Sequence, residues 1–302
     1  MTAGKALSIV LCATVIISAG GCRHRHRHGS PNHNQPLAIS NIDYGPTLAF
    51  GANLLDLYLP SGKGPYPLVI CIHGGGWEVG DKAFFPCRRL IKNGYAVASI
   101  NYRLSSQAPF PAQIVDCKLA IAWLRSHASE YNLDPERIGA WGISAGGHLA
   151  ALVGLTGDLK TPEWATSSGT SSNCVAAVCD WCGPTDLISI LPQSGMNSSV
   201  NEMVTRLLGT PPAVNPALAG EASPVAYAKR NAPPFLIMHG SRDTYVPPQQ
   251  SQELNNLLKS AGADSTLIIV KGAKHSFFSR ATEDVMLDFF DRKLKAKRPN
   301  QI

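Results

Sequence analysis

One junction constrains this chain more than any other feature. Residues 137–143 (RIGAWGI) form a continuous apolar run that passes directly into Ser144-Ala145-Gly146-Gly147 and then into an apolar segment at 148–155. The run predicts a strand buried on both faces, and the segment after it predicts a helix. Between them lies Gly142-Ile143-Ser144-Ala145-Gly146, the pattern G-x-S-x-G. A sharp strand–turn–helix corner forces its serine into a strained conformation, and only small residues such as Gly142 and Gly146 leave room for it. The corner lifts the hydroxyl above the edge of the sheet, toward a helix N-terminus.

The remainder of the chain repeats the alternation. Strands are expected at 67–72, 95–101, 137–143, 175–181, 234–239 and 266–271. Helices are expected at 81–93, 111–128, 148–155, 201–208, 248–260 and 282–295. Continuously apolar strands alternating with helices predict the α/β class, a mostly parallel sheet covered on both faces. Residues 53–59 differ, because Leu55, Leu57 and Leu59 alternate with other residues, which reads as an antiparallel or edge strand. Two stretches interrupt the alternation. Residues 156–173, rich in Ser, Thr and Gly, read as a loop. Residues 187–232 read as an insertion able to rest over a site as a small cap. No internal repeat or linker divides 37–297, so one catalytic domain is expected there. With 302 residues, 44% of them apolar and 16% charged, the chain can bury a large core without staples and is not intrinsically disordered.

Residues 1–22 read as an export signal. Lys5 supplies a positive start, an apolar run of about 13 residues comes next, and Ser18-Ala19-Gly20-Gly21-Cys22 ends it. The run is too short to span a bilayer, which takes about 20 residues. The ending resembles a bacterial lipobox, with Ala19 where such boxes usually carry Leu. Cys22 is thereby expected to be lipidated, and the protein to be an exported cell-envelope lipoprotein, or secreted. Residues 23–36 read as a basic, solvated tether in which Arg23, Arg25 and Arg27 alternate with His24, His26 and His28. Four cations thus fall within the first 28 residues, and of the formal charge of +6 only +2 belongs to residues 29–302. No basic face for nucleic acid is expected. The six cysteines beyond Cys22 (Cys71, Cys87, Cys117, Cys174, Cys179 and Cys182) show no zinc-site spacing, and their pairing is not readable from sequence.

A serine hydroxyl needs a base, and the base needs a partner that fixes its tautomer. Asp243 lies just beyond the apolar run at 234–239, and His275 just beyond that at 266–271. Both therefore fall at strand carboxyl ends, on the same sheet edge as Ser144, where open α/β sheets place their sites. The order Ser, acid, His is that of α/β-hydrolases. Asp186 lies one strand too early and is expected to cap a helix. His239 is expected to be structural. His148, one helical turn beyond Ser144, is expected to point away. The glycines of His73-Gly74-Gly75-Gly76-Trp77 let backbone N–H groups approach a ligand closely. Gly75, Gly76 and Ala145 are the expected donors to an oxyanion, and His73 the brace of the loop. Trp77 serves equally well as substrate-binding wall or core. Asp116 and Arg103 are candidates for a structural pair under the site.

These stretches together resemble the α/β-hydrolase esterases close to the hormone-sensitive-lipase group, and within them the bacterial feruloyl/acetyl-xylan esterase-like set. The resemblance rests on HGGGWEVGDK at 73–82, DPERIGAWGISAGGHLAAL at 134–152, PPFLIMHGSRDTYVPPQQS at 233–251 and VKGAKHSFF at 270–278. It spans about 60 to 290. It implies carboxylic-ester hydrolysis through an acyl-enzyme on Ser144, with no cofactor and no metal. The substrate it implies is a small-molecule or polysaccharide ester. Cys179 and Cys182 depart from the family pattern, which leaves room for a disulfide near the insertion. Two other functions use the same scaffold: a peptidase of the prolyl-oligopeptidase type, and a catalytically silent binding protein. The first usually carries a propeller for which this chain has no room. The second usually lacks the nucleophile or base.

Overall fold

The computed structural model describes residues 37–45, 51–83, 88–157, 159, 172, 174–195 and 197–295. The expected export signal, Cys22, the tether, Cys87 and most of the loop at 156–173 lie outside these residues. Eight strands form one sheet: β1 (Leu37–Asp43), β2 (Leu54–Leu59), β3 (Tyr66–Ile72), β4 (Ala96–Ile100), β5 (Leu133–Ile143), β6 (Ala177–Trp181), β7 (Phe235–Gly240) and β8 (Ser265–Val270). Their spatial order is β1-β2-β4-β3-β5-β6-β7-β8. β2 is antiparallel to both β1 and β4, and every pair from β4 to β8 is parallel. The alternation of Leu55 and Leu57 thus marks an antiparallel strand, as expected. The continuously apolar strands are the parallel ones.

Two hydrophobic cores explain the continuous runs. On β3, Leu68, Ile70 and Ile72 enter one core, while Val69 and Cys71 enter the other. The first core is covered by α2 (Ala112–Ser126), α3 (Ala145–Thr156) and α7 (Pro248–Ser260) through residues such as Ile114, Ile121, Leu149 and Leu254. The second is covered by α1 (Arg88–Lys92) and α8 (Arg280–Phe290) through Leu90, Met286 and Phe290. Full burial of each such side chain stabilises the fold by about 1.5–3 kcal/mol. A strand between two helical layers must therefore be apolar on both faces.

The differences from the sequence reading have local causes. β1 has no counterpart among the expected strands. It is a mostly exposed edge strand with a bulge between Ile39 and Ile42, so it carries little hydrophobic pattern. Within the helix expected at 81–93, only Arg88–Lys92 is helical among the described residues. Asp81 instead accepts the N–H of Ala83 at 2.7 Å, a turn contact. Gly94 ends α1 as expected, at φ +81°. The insertion holds α4 (Ile190–Gln193), α5 (Ser198–Leu208), α6 (Pro216–Glu221) and a 3-10 turn, Pro224–Tyr227. α5 begins three residues before the expected start because Asn197 accepts the N–H of Ser199 at 3.0 Å as its cap.

The strand order places the site. The chain leaves β3 for β4 on one side, then crosses back to β5 on the other. Such a reversal opens a crevice at the strand carboxyl ends. The loops after β3, β5, β7 and β8 meet there.

Candidate active site

Ser144 joins β5 to α3 at φ 56° and ψ −122°, a region that costs a non-glycine residue about 1–3 kcal/mol. Its surroundings enforce this. A Cβ on Gly142 would lie 2.0 Å from the Gly146 carbonyl oxygen, and one on Gly146 would lie 2.1 Å from that of Ile72. The Ser144 N–H donates to the carbonyl of Trp181 at 2.8 Å, which fastens the corner to β6. α3 starts at Ala145 rather than at 148, so Ser144 is its N-cap residue. Its side chain makes no capping bond and stays available for another partner.

That partner is His275. Ser144 Oγ lies 2.9 Å from His275 Nε2, and His275 Nδ1 lies 2.6 Å from Asp243 Oδ2. The carboxylate next to Nδ1 fixes the tautomer: Nδ1–H donates to Asp243, and Nε2 accepts the serine hydroxyl. Asp243 Oδ1 accepts the N–H groups of Tyr245 (2.9 Å) and Val246 (3.1 Å). Burial pushes its carboxyl pKa up, but hydrogen bonds from His239, His275 and Val246 outweigh burial and hold it well below the ordinary carboxylate range.

The loop after β3 passes directly over this corner. A Cβ on Gly74 would lie 2.8 Å from the Ile143 carbonyl oxygen and 3.4 Å from Ser144 Cβ. Gly75 adopts φ +109° and Gly76 φ +61°. The Gly75 carbonyl closes the turn by accepting Glu78 N–H at 3.0 Å and Val79 N–H at 3.1 Å. His73 braces the loop, as expected. Its Nδ1–H donates to the Gly74 carbonyl at 2.8 Å, and its ring stacks on Tyr102 at 4.3 Å. Burial lowers its pKa and keeps it neutral.

Ser144, His275, Gly75, Gly76 and Ala145 border one cavity of about 610 Å³. Its walls are largely apolar and include Val200, Met203 and Val204 of α5 together with Trp181, Phe277 and Tyr245. Met203 touches the loop itself, since a Cβ on Gly76 would lie 2.5 Å from its Sδ. An ion pair between Arg206 of α5 and Glu78 ties the same two elements. The insertion therefore does lie against the site.

The other sequence candidates separate cleanly. Asp186 accepts the N–H of Ile188 at 2.8 Å and takes no part in the Ser144–His275–Asp243 chain. Arg103 and Asp116 pair as expected, with Nη2 to Oδ1 at 2.8 Å and Nε to Oδ2 at 2.9 Å. Trp77 borders the cavity, yet it is only 3% exposed and its indole N–H donates to His148 Nδ1 at 3.2 Å. It is chiefly core. His239 is structural as expected, but its Nε2 also lies 3.1 Å from Asp243 Oδ2. No disulfide joins Cys179 to Cys182. The Cys182 thiol instead donates to the His275 carbonyl at 3.3 Å. Sequence reasoning missed Met203, Cys182 and the reach of His239 to Asp243. The spacing His239-x-x-x-Asp243 across a tight turn was the one available signal for the last.

The comparisons with known proteins agree with this geometry. The BD-FAE family model matches residues 55–258, which include Ser144 and Asp243. The esterase LipQ of Mycobacterium tuberculosis is 33% identical over 262 residues, covering 83% of this chain and 60% of LipQ. The chain thus spans about 60% of that curated relative. A truncated carbohydrate esterase from gut microbiota is similar at 33% identity and a TM-score of 0.77, over 87% of this chain and 98% of that one. An acetyl ester-xyloside bifunctional hydrolase from Caldicellulosiruptor lactoaceticus is similar at 26% identity and a TM-score of 0.69, over 84% of this chain and 96% of that one. The resemblance read from the motifs is borne out: this α/β-hydrolase chain belongs to the BD-FAE family of esterases.

Proposed function

We propose that the protein is a serine carboxylesterase that removes acetyl or feruloyl groups from polysaccharides. The observation that carries the chemistry is the unbroken contact from Ser144 Oγ to His275 Nε2 (2.9 Å) and from His275 Nδ1 to Asp243 (2.6 Å). As Ser144 Oγ bonds to the ester carbonyl carbon, its proton passes to His275 Nε2. The carbonyl oxygen becomes an oxyanion and is received by the N–H groups of Gly75, Gly76 and Ala145. One such donor is worth about 2.7–4 kcal/mol of transition-state stabilisation. The imidazolium, steadied by Asp243, gives its proton to the leaving alkoxide as the carbon–oxygen bond breaks. Water then attacks the acyl carbon and passes a proton to His275, the bond to Ser144 Oγ breaks as His275 returns that proton to it, and the carboxylic acid leaves.

The carbohydrate part of this reading is supported by the two carbohydrate-ester hydrolases among the similar structures. The apolar cavity suits an acyl group rather than a charged one. Residues 1–22 add export, and Cys22 attachment to a membrane by lipid, as further parts of the proposal. Among the described residues no helix is long and apolar enough to cross a membrane.

The test has two parts. The protein should hydrolyse p-nitrophenyl acetate, and Ser144→Ala should abolish both hydrolysis and fluorophosphonate labelling. Release of acetate and ferulate from a panel of natural polysaccharides then ranks the substrates. Retained turnover in Ser144→Ala would overturn the mechanism, and release from neither class of ester would overturn the substrate.

A further inference from the structure

His148 lies one turn beyond Ser144 on α3, and its N–H donates to the Ser144 carbonyl at 3.0 Å. It is fully buried and is not among the residues that line the cavity, as helical spacing predicts. Both ring nitrogens are engaged. Nδ1 accepts the indole N–H of Trp77 at 3.2 Å, and Nε2 lies 2.7 Å from the carbonyl of Ala222 in the insertion. Those partners dictate the tautomer, because a carbonyl accepts and an indole N–H only donates. His148 is therefore neutral, with its proton on Nε2. Burial supports this by lowering its pKa to about 4.

Trp77 needs to be held. It comes after Gly75 and Gly76 as the third consecutive residue with positive φ, at +61°. Glycine accepts such a backbone and tryptophan resists it. Its carbonyl accepts the N–H of Ser105 at 2.8 Å, and its side chain ends on His148. The two rings also meet edge to face, with centroids 5.2 Å apart.

We propose that His148 is a positioning residue that registers the Gly75–Gly76 loop against the nucleophile helix by holding Trp77. It rests on the esterase reading above. One side chain spans the helix that carries Ser144, the loop that carries the oxyanion donors, and the insertion. A donor displaced by about 1 Å from the developing oxyanion costs roughly 10²-fold in rate. Substrate binding in an apolar cavity is far less sensitive, so the effect falls on kcat rather than KM.

The experiment uses His148→Gln, His148→Asn, Trp77→Phe and the double variant His148→Gln/Trp77→Phe in the full chain, with p-nitrophenyl acetate. Gln carries its amide to the Nε2 side and offers no acceptor to the indole. Asn places its carbonyl near Nδ1 and keeps that acceptor. His148→Gln and Trp77→Phe should each lower kcat roughly 10- to 100-fold, the scale of a misplaced donor, with KM within about threefold. The double variant should be no worse than the weaker single variant by more than about threefold, because both break one contact. His148→Asn should recover kcat to within about threefold of the wild type, taking that as the limit of a kept contact. Wild-type kcat in His148→Gln, independent losses that multiply in the double variant, or equal losses in the Asn and Gln variants would each overturn the proposal. Trp77→Phe keeps an aromatic ring in the core and removes the indole N–H, so the test survives if a His148 variant does not fold. A wild type without Ser144-dependent turnover would instead overturn the esterase reading.

Discussion

His239 Nε2 lies 3.1 Å from the same Asp243 oxygen that His275 Nδ1 uses at 2.6 Å. His239 is itself held from both ends. Its Nε2 also approaches the Val246 carbonyl at 2.8 Å, and its Nδ1 lies 2.6 Å from Ser251 Oγ. Asp243 therefore sits between two imidazoles, and the buried one limits how it can turn. Replacing His239 by Ala leaves buried hydrogen-bonding groups unpaired, each costing about 1–3 kcal/mol. The expected outcome is a loss of stability of that order in urea unfolding. A fall in kcat/KM of roughly 10-fold should accompany it as the carboxylate loses its fixed orientation. Unchanged values of both would show that Asp243 is held by its backbone donors alone.

The position of Met203 assigns the two sides of the cavity. His275 must reach the leaving oxygen, so Tyr245, whose ring lies 5.7 Å from that of His275, is assigned to the alcohol side. Met203 touches Gly76 of the expected oxyanion loop, which receives the acyl carbonyl, and so is assigned to the acyl side. A methylene in such a pocket is worth about 1–3 kcal/mol of discrimination. Met203→Ala should raise the octanoate-to-acetate ratio of kcat/KM at least roughly 10-fold, and Met203→Phe should lower it. Identical acyl-chain profiles for both variants and the wild type would remove Met203 from the acyl side.

Two buried groups pull stability in opposite directions with pH. Burial lowers His148 to about 4. Between about pH 4 and 6.5 the unfolded chain therefore binds a proton that the folded chain does not, and stability rises with pH, by about 3 kcal/mol in all. Burial likewise pushes Asp180 up to about 6. The folded chain holds that proton from about pH 3.9 to 6 and the unfolded chain does not, so this contribution is lost as pH rises, again by about 3 kcal/mol. The two nearly cancel in the wild type. Asp180→Asn should expose a stability that climbs from pH 4.5 to 6.5, and His148→Asn should expose one that declines. Urea unfolding at three pH values checks this, and parallel profiles for all three proteins would refute it.

Gly146 and Gly220 offer a matched pair. A Cβ at Gly146 would lie 2.1 Å from the carbonyl oxygen of Ile72, and a Cβ at Gly220 meets nothing within 4 Å. Gly220 lies in α6, where alanine is favoured over glycine by roughly 0.5–1 kcal/mol. Gly220→Ala should therefore keep or slightly raise the melting temperature. Gly146→Ala must push the elbow away from β3 and should lose Ser144-dependent activity together with several degrees of melting temperature. Wild-type turnover in Gly146→Ala would mean that the corner can relax without moving Ser144.

Much of this was legible in the chain because it is written in short-range pattern. A strand between two helical layers must be apolar on both faces, so β3, β5, β6 and β7 stood out. The corner at Ser144 is a local backbone problem, solved by Gly142 and Gly146 only a few residues away. Ser144, Asp243 and His275 each lie just after a strand, and parallel strands deliver their carboxyl ends to one edge, so their meeting was also readable. β1 escaped because an exposed edge strand has no second face to bury.

The sequence alone determined the buried parallel strands, the elbow and the order of the three polar residues, since each is set by periodicity and by backbone sterics within one segment. Only the tertiary structure decided which histidine does what. His148, His239 and His275 are the same side chain in comparable settings along the chain. They differ in the groups that the fold brings to their ring nitrogens from 4 to 131 residues away. Met203 and Cys182 are likewise assigned by contacts with residues far away in the chain, Gly76 and His275. Hydrogen-bond partners and cavity walls are set by the packing of distant segments, and that information does not exist in any one of them.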